Sequence, residues 1–341
     1  VTDNNLENIV GGAEESLRII CRGLGREFKI GIIQPGPVSR KIADVSYFCV
    51  TADNRLKSVV KNPRALIRFI LAVKETISVT TPRVVHTNLQ ISFFIVAFLK
   101  KLGIIPKHTH LIHTERGLYV KYNSLIRFVF FFCMTELNTL VTTTEFNARL
   151  WKEKLEKKKL PISITVIENT AGELFESIDE GTDKSDRSQV VIGFAGRYAR
   201  WKNWPLALDI SERLNDVLGD TVMVKMAVGC LDEESLMETR AMFERLKDSL
   251  GDRFDGRVNL SIEEMNQFYY DVDIFILTSE PNTESFGRTL VEAMSRKTVV
   301  LTTNSGGSVE VVGNPKNVCE TAESFVDRVL FFVRNRDEMV R

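Results

Sequence analysis

The sequence contains no long hydrophobic run. Its most apolar stretches, Phe93–Leu99 and Phe128–Met134, are far shorter than the roughly 20 residues that a membrane-spanning helix needs. No secretory signal is visible in the first residues, and such a signal would indicate export. We therefore expect a cytoplasmic protein with no integral membrane segment.

Cysteine and histidine are scarce and scattered. The five cysteines form no C-x-x-C pair and no cluster with the four histidines, which argues against a structural zinc site and fits a reducing compartment. No G-x-G-x-x-G motif follows a strand-like run, so an NAD-dependent dehydrogenase is the weaker choice among α/β enzymes. No carboxylate cluster of the metal-binding kind stands out either.

Charge is balanced over the whole chain but not within it. Residues 1–168 contain 25 Lys+Arg and 14 Asp+Glu, a net charge of +11, and the remaining residues contain 20 and 31, a net charge of −11. The basic half suggests an anionic partner, either a phosphate-bearing substrate or an acidic lipid surface. A solvated basic face with no partner explains the same numbers equally well.

Short β-branched runs alternate with amphipathic segments along the chain, and Val1-Thr2 has the pattern of the end of a further strand. This alternation is typical of a parallel, doubly wound sheet, and 341 residues suit two such domains. The stretch 172–188 is rich in Asp, Ser and Gly and has the composition of a linker. We predict an α/β fold with domains at 1–171 and 189–341, whose ligands bind beyond the carboxyl ends of the strands.

The strongest chemical pattern is the stretch Thr278–Met294, TSEPNTESFGRTLVEAM. A strand ends, a loop carries Glu284, Phe286-Gly287 forms a tight turn, and the following helix carries Glu292. Backbone N–H groups at a helix start suit an anion such as a diphosphate, and a carboxylate on each side suits hydroxyl groups. Two solvated glutamates beside an ordinary helix start would explain the same spacing.

A second pattern is Gly193–Lys202, GFAGRYARWK. Arg197 and Lys202 follow a strand that ends in small residues. A guanidinium fork and a mobile ammonium together suit a pair of phosphates. The alternative is two surface cations beside the packing of Trp201 and Trp204.

Three weaker features point the same way. Gly11-Gly12 at a helix start lets another molecule approach the backbone, although a plain helix-entry turn has the same form. His113 follows a buried-type strand and should face the ligand edge of the sheet, whereas a lone histidine is more often structural. The turn Asn304–Gly307 can bring backbone amides near a ligand but is unspecific as a motif.

Together these segments resemble the retaining glycosyltransferases of the GT-B fold, glycosyltransferase family 4. The family pattern is a GR…K segment, an E-x-F-G…EAM segment and a GG…E segment. Here they read Gly196-Arg197…Lys202, Glu284-Ser285-Phe286-Gly287…Glu292-Ala293-Met294 and Gly306-Gly307…Glu310. The GGAE stretch at Gly11–Glu14 and His113 match more loosely. The chain departs from the family where Asn169-Thr170 replaces the usual N-G and Arg296-Lys297-Thr298 replaces G-x-P.

The resemblance implies two Rossmann-like lobes that face a central cleft, the first for the acceptor and the second for a nucleotide-sugar donor, with a UDP-sugar favoured. It implies no metal and no other cofactor. Arg197 and Lys202 would bind the donor diphosphate, Glu284 the transferred sugar and Glu292 the ribose. Gly12 would lie near the diphosphate or acceptor and His113 near the sugar. The remaining donor contacts would come from the helix start, at Phe286, Gly287, Arg288, Thr289 and Leu290.

The implied activity is that of a hexosyltransferase acting on a glycan or lipid-linked acceptor in surface-glycan biosynthesis, with Glu284, His113, Arg197 and Lys202 as the catalytic set. The lysines and arginines that flank Trp151 suit an anionic membrane surface: Arg149, Lys152, Lys154 and Lys157–Lys159. No nucleic acid is expected as a partner. A sugar-nucleotide epimerase of the same shape and a non-catalytic nucleotide-sugar binding protein are the alternatives.

Overall fold

The structure, a computed structural model, describes residues 1–7, 11–42, 45–176 and 188–339. The chain divides into two compact units, Val1–Asn169 and Thr170–Arg341. The N-terminal unit has two sheets and the C-terminal unit has one, all largely parallel and flanked by helices, so the predicted α/β class is confirmed. Within the described residues, no helix is both long enough and apolar enough to cross a bilayer.

The N-terminal unit alternates strands and helices as predicted. Its described strands are β1 (Ile30–Gln34), β2 (Arg40–Ile42), β3 (Val45–Cys49), β4 (Val84–Asn88), β5 (His110–Thr114), β6 (Thr139–Thr142) and β7 (Ser163–Val166). Its described helices are α1 (Gly12–Leu24), α2 (Leu56–Val59), α3 (Pro63–Thr80), α4 (Gln90–Lys101), α5 (Ser124–Met134) and α6 (Glu145–Lys157).

Val1 and Thr2 make backbone hydrogen bonds to both sheets of this unit. The sheets have the orders β1-β3-β2 and β4-β5-β6-β7, and every pair except β2–β3 is parallel. The amide of Thr2 donates to the Ile33 carbonyl of β1 at 3.0 Å, and the amide of Asn88 in β4 donates to the Val1 carbonyl at 3.1 Å. Of the strand end expected at Val1-Thr2, the structure has only an isolated parallel bridge between Thr2 and Asn88.

The main core of the N-terminal unit lies between the sheet and helices α3–α6, and its largest fully buried side chains include Phe69, Phe93, Phe130 and Trp151. Trp151, which the predicted membrane-facing lysines and arginines flank in the sequence, is itself fully buried. Its ring centroid lies 5.4 Å from that of Phe130, inside the core. Only one face of α6 is exposed, and that face carries the lysines.

The C-terminal unit has one five-stranded parallel sheet of order β10-β9-β8-β11-β12. The strands are β8 (Val190–Arg197), β9 (Val222–Gly229), β10 (Phe254–Val258), β11 (Ile274–Leu277) and β12 (Val299–Thr302). The described helices are α7 (Glu173–Glu176), α8 (Trp204–Leu218), α9 (Glu233–Leu250), α10 (Ile262–Asp271), α11 (Arg288–Met294), α12 (Gly307–Val312) and α13 (Ala322–Arg334).

Helices cover both faces of this sheet. Ile192 and Phe194 of β8 belong to a core built with α8, α9 and α13, whereas Val191 and Ala195 belong to a core built with α10 and α11. Because side chains alternate along a strand, β8 is apolar on both faces, as buried parallel strands are. The predicted doubly wound, Rossmann-like arrangement is therefore confirmed in this unit.

Local sequence signals set the ends of the long helices. Helix α9 begins at a capping box in which Asp232 accepts from the Ser235 amide, and it ends at Gly251 with φ 59°. Such caps satisfy the backbone groups that a helix end leaves without intrahelical partners. The sequence pattern predicts a helix over Glu233–Leu250, and α9 has these bounds.

The structure differs from the prediction in the short elements. The sequence pattern predicts a strand over Arg257–Leu260, whereas β10 runs from Phe254 to Val258. The sequence pattern predicts none of β2, β3, α2 and α12. Helix α7 lies inside the predicted linker 172–188, where Phe175 is buried against Tyr269 with ring centroids 5.9 Å apart. The start of that segment therefore packs in the C-terminal unit, and residues 177–187 lie outside the described residues.

Candidate active site

The sheet of the C-terminal unit has its topological switch point between β8 and β11. The chain moves from β8 to β9 and β10 on one side, and then returns to place β11 and β12 on the other side. At such a point the connections that leave the carboxyl ends of the two central strands diverge and leave a crevice for a ligand. A ligand site is therefore expected among the residues that follow β8 and β11.

Lys202 and Glu284 form an ion pair at this edge. The ammonium of Lys202 donates to Glu284 Oε1 at 2.7 Å, and the hydroxyl of Ser279 donates to the same oxygen at 2.7 Å. Both side chains are largely buried, with exposed fractions of 16% and 15%. A charge-assisted bond in this setting is stronger than one in open solvent, so the two groups hold each other in place.

The backbone fixes the segments that carry this pair. Lys202 ends a 3-10 turn, Arg200–Lys202, and its carbonyl accepts from the Thr278 hydroxyl at 2.8 Å. The amide of Glu280 donates to the Trp201 carbonyl at 2.8 Å. The loops after β8 and β11 are thus tied together, and the structure brings the Lys202 and Glu284 segments to the same edge of the sheet.

The Asn304–Gly307 turn belongs to the same edge. The amide of Glu284 donates to the Ser305 carbonyl at 2.9 Å, and the amide of Gly307 donates to the Glu284 carbonyl at 2.8 Å. This short parallel bridge pairs Glu284 with Gly306, whose φ is 114°. The Asn304–Gly307 turn therefore stabilises the backbone conformation of Glu284.

The turn at Phe286-Gly287 begins helix α11. Phe286 is buried, and Gly287 has a φ of 93°, which L-residues rarely adopt. A Cβ at Gly287 would lie 2.9 Å from Leu290 Cδ1. The side chain of Leu290 is fully buried, and its amide already donates to the Gly287 carbonyl at 2.9 Å. Leu290 thus stabilises the turn through packing, whereas Thr289 is half-buried at its surface.

Glu292 is held on α11 by two neighbours. The Tyr269 hydroxyl donates to Glu292 Oε2 at 2.9 Å, and Arg288 Nε lies 3.2 Å from Glu292 Oε1. Arg288 also donates to the Ala171 carbonyl at 2.9 Å. Burial, together with the Glu292 charge, holds the pKa of Tyr269 well above its usual value. The phenol therefore stays protonated and remains a donor to this carboxylate.

Arg197 is the last residue of β8, and its side chain is exposed. The Arg197 guanidinium makes no hydrogen bond or ion pair with any residue that the structure describes. The Arg197 carbonyl accepts a hydrogen bond from Trp204 Nε1 at 3.4 Å. The aliphatic stem of Lys202 packs over Gly196, the residue before Arg197. A Cβ at Gly196 would lie 3.4 Å from Lys202 Cε. A cation at a strand end with no internal partner is available to an anionic ligand.

The N-terminal unit places Gly12 at the first turn of α1, where it is exposed. Its carbonyl accepts from Ser16 Oγ at 2.8 Å, and the same hydroxyl lies 3.1 Å from Asn169 Oδ1. Glu14 is buried and accepts from Asn4 at 2.6 Å. These contacts fix the start of α1 against Asn4 and Asn169.

The expectation that His113 faces the open edge of the sheet differs from the structure. Its ring is fully buried and stacks on Phe93 with centroids 4.3 Å apart. Nδ1 lies 3.0 Å from the Thr87 hydroxyl, and Nε2 lies 3.6 Å from Glu115 Oε2. The aromatic residues of α4 and α5 draw the ring into the core, because they provide it with an apolar surface to cover. A role for His113 near a sugar stays a prediction.

The sequence reasoning missed several polar residues at these edges. Ser279 and Tyr269 position the two glutamates, and Arg116 donates to both Asn88 Oδ1 at 3.0 Å and Asn169 Oδ1 at 2.8 Å. Ser279 lies inside the stretch Thr278–Met294 and Asn169 was named only as a departure from the family pattern, but neither was assigned a role; these two residues and Arg116 all lie within three residues of the end of a strand. Tyr269 stands inside a helix and gave no such signal. Among the described residues, no group of three or more His, Cys, Asp or Glu could hold a metal ion.

The comparison with protein families bears directly on this unit. Residues 177–341 match the model of the family Glycosyl transferases group 1. The match spans 165 of the 341 residues, just under half of the chain, and contains every segment of the site described above for the C-terminal unit. A search of the curated proteins found no match.

Solved structures resemble the chain over nearly its whole length. Sucrose-phosphate synthase from Thermosynechococcus elongatus is 15% identical with a TM-score of 0.73, over 100% of this chain and 90% of that one. HepE of Anabaena in complex with UDP and glucose is 16% identical with a TM-score of 0.72, over 99% and 90%. An α,α-trehalose-phosphate synthase (UDP-forming) from Burkholderia vietnamiensis is 9% identical with a TM-score of 0.70, over 96% and 88%. At these identities the likeness shows the fold alone, and it confirms the GT-B fold class.

Proposed function

We propose that this protein is a retaining glycosyltransferase of family 4, which moves a hexose from a nucleotide-sugar to a glycan or lipid-linked acceptor. The observation that carries the proposal is the pairing of Lys202 with Glu284 at 2.7 Å at the switch point of the C-terminal sheet. The family match over residues 177–341 supports transfer of a sugar. A UDP-sugar is the favoured donor, because HepE of Anabaena is described with UDP and glucose.

The donor diphosphate, in this proposal, lies against Arg197, Lys202 and the start of α11 at Gly287. The bond between the anomeric carbon and the diphosphate oxygen breaks, and negative charge develops on the leaving phosphate. Two cations and a helix start that are already in place stabilise this charge without reorganisation, which is usually the largest contribution to catalysis. The acceptor hydroxyl attacks from the same face, and its proton passes to the leaving phosphate, so no protein base is needed.

The two glutamates are assigned different hydroxyl groups. Glu284, beside Lys202, accepts from hydroxyls of the transferred sugar, and Glu292, held by Tyr269 and Arg288, accepts from the ribose. The phosphate displaces part of the contact between Lys202 and Glu284 when the donor binds. Backbone and side-chain contacts from Phe286 to Leu290 complete the donor site, and neither a metal nor another cofactor is required.

The N-terminal unit, in this proposal, receives the acceptor. Gly12 lies near the diphosphate or acceptor, and His113 acts near the sugar. The net charge of +11 over residues 1–168 suits a phosphate-bearing or lipid-linked acceptor and peripheral contact with an anionic membrane. The expected setting is the cytoplasm, where the enzyme contributes to surface-glycan biosynthesis.

The proposal is tested with a panel of UDP-, GDP-, ADP- and CDP-sugars. Thermal stabilisation identifies a donor that binds the folded chain, and release of the nucleotide is then measured with and without acceptors. A transferase releases nucleotide faster when an acceptor is added. An epimerase of the same shape consumes the donor without any acceptor, and a binding protein is stabilised but releases nothing.

A further inference from the structure

Two arginines at the two ends of helix α11 bind the main chain of residues 171–175. Arg288, the first residue of the helix, donates to the Ala171 carbonyl at 2.9 Å. Arg296, which lies just beyond the helix end, donates to the Leu174 carbonyl at 2.7 Å and to the Phe175 carbonyl at 3.2 Å. Hydrogen bonds from a charged donor are stronger than those between neutral groups. The two arginines therefore hold these residues, which we call the 171–175 segment, at both ends.

Burial fixes the Arg296 end of this segment. Arg296 and Phe175 each have an exposed fraction of 3%, and the guanidinium carbon of Arg296 lies 5.3 Å from the centre of the Phe175 ring, within the range of a cation–π attraction. A buried guanidinium is costly unless its donors find acceptors, and the carbonyls of Leu174 and Phe175 are such acceptors. The Arg296 end is therefore a structural anchor.

The Arg288 end reaches a residue of the candidate donor site. Arg288 Nε lies 3.2 Å from Glu292 Oε1, and both side chains have an exposed fraction of 15%. An exposed i,i+4 ion pair contributes little, but this pair is largely shielded from water, and shielding strengthens the attraction between its charges. The Tyr269 hydroxyl donates to the other carboxylate oxygen. One guanidinium thus bridges the carboxylate assigned to the ribose and the Ala171 carbonyl.

We propose that Arg288 is a positioning residue, which couples the binding of a nucleotide ribose at Glu292 to the docking of the 171–175 segment. The inference rests on the proposed function, which assigns Glu292 to the ribose. A ribose hydroxyl that donates to Glu292 stabilises the carboxylate orientation that also accepts from Arg288, and this orientation keeps Arg288 on the Ala171 carbonyl. Because coupling between two binding events is reciprocal, loss of the bridge weakens nucleotide binding.

Direct binding of the donor phosphate by Arg288 is the alternative, since the residue lies at a helix start. The Nε and Nη2 groups of Arg288 donate to the Ala171 carbonyl at 3.3 and 2.9 Å. This edge, one of those with which a guanidinium binds a phosphate through two parallel bonds, therefore already serves the main chain. The geometry thus favours an action through Glu292 over a direct contact with the phosphate.

Uridine and UDP distinguish these two roles, because uridine contains the ribose but no phosphate. Arg288→Ala should weaken the binding of both ligands by a similar factor, about fivefold to tenfold, in calorimetric and NMR titrations. The control Arg213→Ala breaks another i,i+4 pair of the same unit, with Asp209 at 2.7 Å and exposed fractions of 53% and 48%, and should change neither affinity. Thermal melting establishes folding. If Arg288→Ala does not fold, Arg288→Lys, which keeps the charge but not the planar fork, takes its place.

A double variant tests whether Arg288 acts through Glu292. UDP binding by Arg288→Ala/Glu292→Gln should be within about twofold of that by Glu292→Gln alone, since the effects of coupled residues do not add. Hydrogen exchange tests the other end of the coupling. The Phe175 amide donates to the Gly172 carbonyl at 3.0 Å, and UDP should slow exchange in the 171–175 segment of the wild type but not of Arg288→Ala.

Three outcomes would overturn the inference alone: a loss confined to UDP, additive losses in the double variant, or equal protection of the 171–175 segment by UDP in the wild type and in Arg288→Ala. In each of these cases the wild type still binds UDP, so the proposed function stands. If the wild type binds no nucleotide-sugar, UDP or other nucleoside diphosphate, the proposed function fails and this inference fails with it.

Discussion

The Lys202 ammonium and the Glu284 carboxylate share one hydrogen bond of 2.7 Å, although 82 residues separate them in the sequence. Ser279 donates to the same oxygen, so one carboxylate oxygen receives both a charged and a neutral donor. The loops after β8 and β11 provide these three side chains, and the parallel sheet brings those two loops together. This relationship leads to the first prediction.

Replacing Lys202 with Ala should lower turnover by about 10²-fold or more, because a preorganised cation at a leaving group typically contributes that much. It should also lower the free energy of unfolding by about 1–3 kcal/mol, since Glu284 stays largely buried with one donor fewer. Steady-state kinetics and urea unfolding measure the two effects.

The Lys202→Ala/Glu284→Ala double variant should lose less stability than the sum of the losses in the two single variants. Strict additivity would show that Lys202 and Glu284 are not energetically coupled.

Arg197 and Arg200 offer a matched comparison. Both are exposed cations near the end of β8, but only Arg197 ends the strand itself and belongs to the proposed donor site. Arg197→Ala should lower kcat/KM by about 10-fold to 10³-fold, whereas Arg200→Ala should change it by less than about twofold. Equal losses in both variants would mean that general positive charge, and not a specific site, explains the effect.

The roles proposed for the glutamates can be separated by calorimetry. Glu292→Gln should weaken the binding of UDP and of UDP-glucose alike, by about tenfold, because both contain the ribose. Glu284→Gln should spare UDP and weaken only the sugar-bearing ligand. If both variants affect UDP equally, the assignment of one glutamate to the sugar is wrong. Tyr269→Phe should reproduce a milder form of the Glu292 effect, since it removes one donor from that carboxylate.

Gly287→Ala tests the turn that begins α11. Gly287 has a φ of 93°, and a Cβ added there would lie only 2.9 Å from Leu290 Cδ1. Alanine is therefore strained at this position, and we expect a loss of about 1–3 kcal/mol in the free energy of unfolding. Gly103→Ala is the control for positive φ, because its φ is 72° and a Cβ there meets nothing within 4 Å. If Gly287→Ala lowers the free energy of unfolding no more than Gly103→Ala does, close packing against Leu290 contributes nothing to the effect.

Cysteine labelling tests the cores of both units. Burial raises the pKa of Cys21, Cys133 and Cys319 to about 11, so at pH 8 these thiols are protonated as well as shielded. Iodoacetamide should label Cys49 and Cys230, which are partly exposed, and spare the other three until denaturant is added. Raising the pH towards 11 should increase thiolate at the buried positions. Fast native labelling of Cys133 or Cys319 would contradict the packing described.

The long helices and strands were predictable because their capping residues and their hydrophobic patterns indicate the same bounds. Helix α9 has an Asp cap and a terminal Gly, and β8 has an unbroken apolar run, so both follow from the sequence alone. The short elements were not predictable, since β3 depends on pairing with β1 and β2 depends on pairing with β3, and neither leaves a distinct pattern of its own. Helix α7 gave no signal because its order comes from Phe175 packing on Tyr269 and from Arg296 donating to the Leu174 carbonyl at 2.7 Å.

The site was predictable to a similar extent. The sequence places Lys202 and Glu284 after strands, and the parallel sheet brings them to one edge, so their contact follows from the fold. The side chain of His113 could not be placed in this way, because a residue near a strand end can turn outward or inward. The aromatic residues of α4 and α5, which are distant in sequence, decide that His113 turns into the core.

The most direct test of the central claim is a calorimetric titration of the wild-type chain and its Lys202→Ala variant with UDP-glucose, followed by the other nucleotide-sugars. The account predicts that at least one nucleotide-sugar binds the wild type and that the folded variant binds it about tenfold or more weakly. Equal affinity in the two proteins, or no binding of any nucleotide-sugar to the wild type, would contradict a donor site at the Lys202–Glu284 pair.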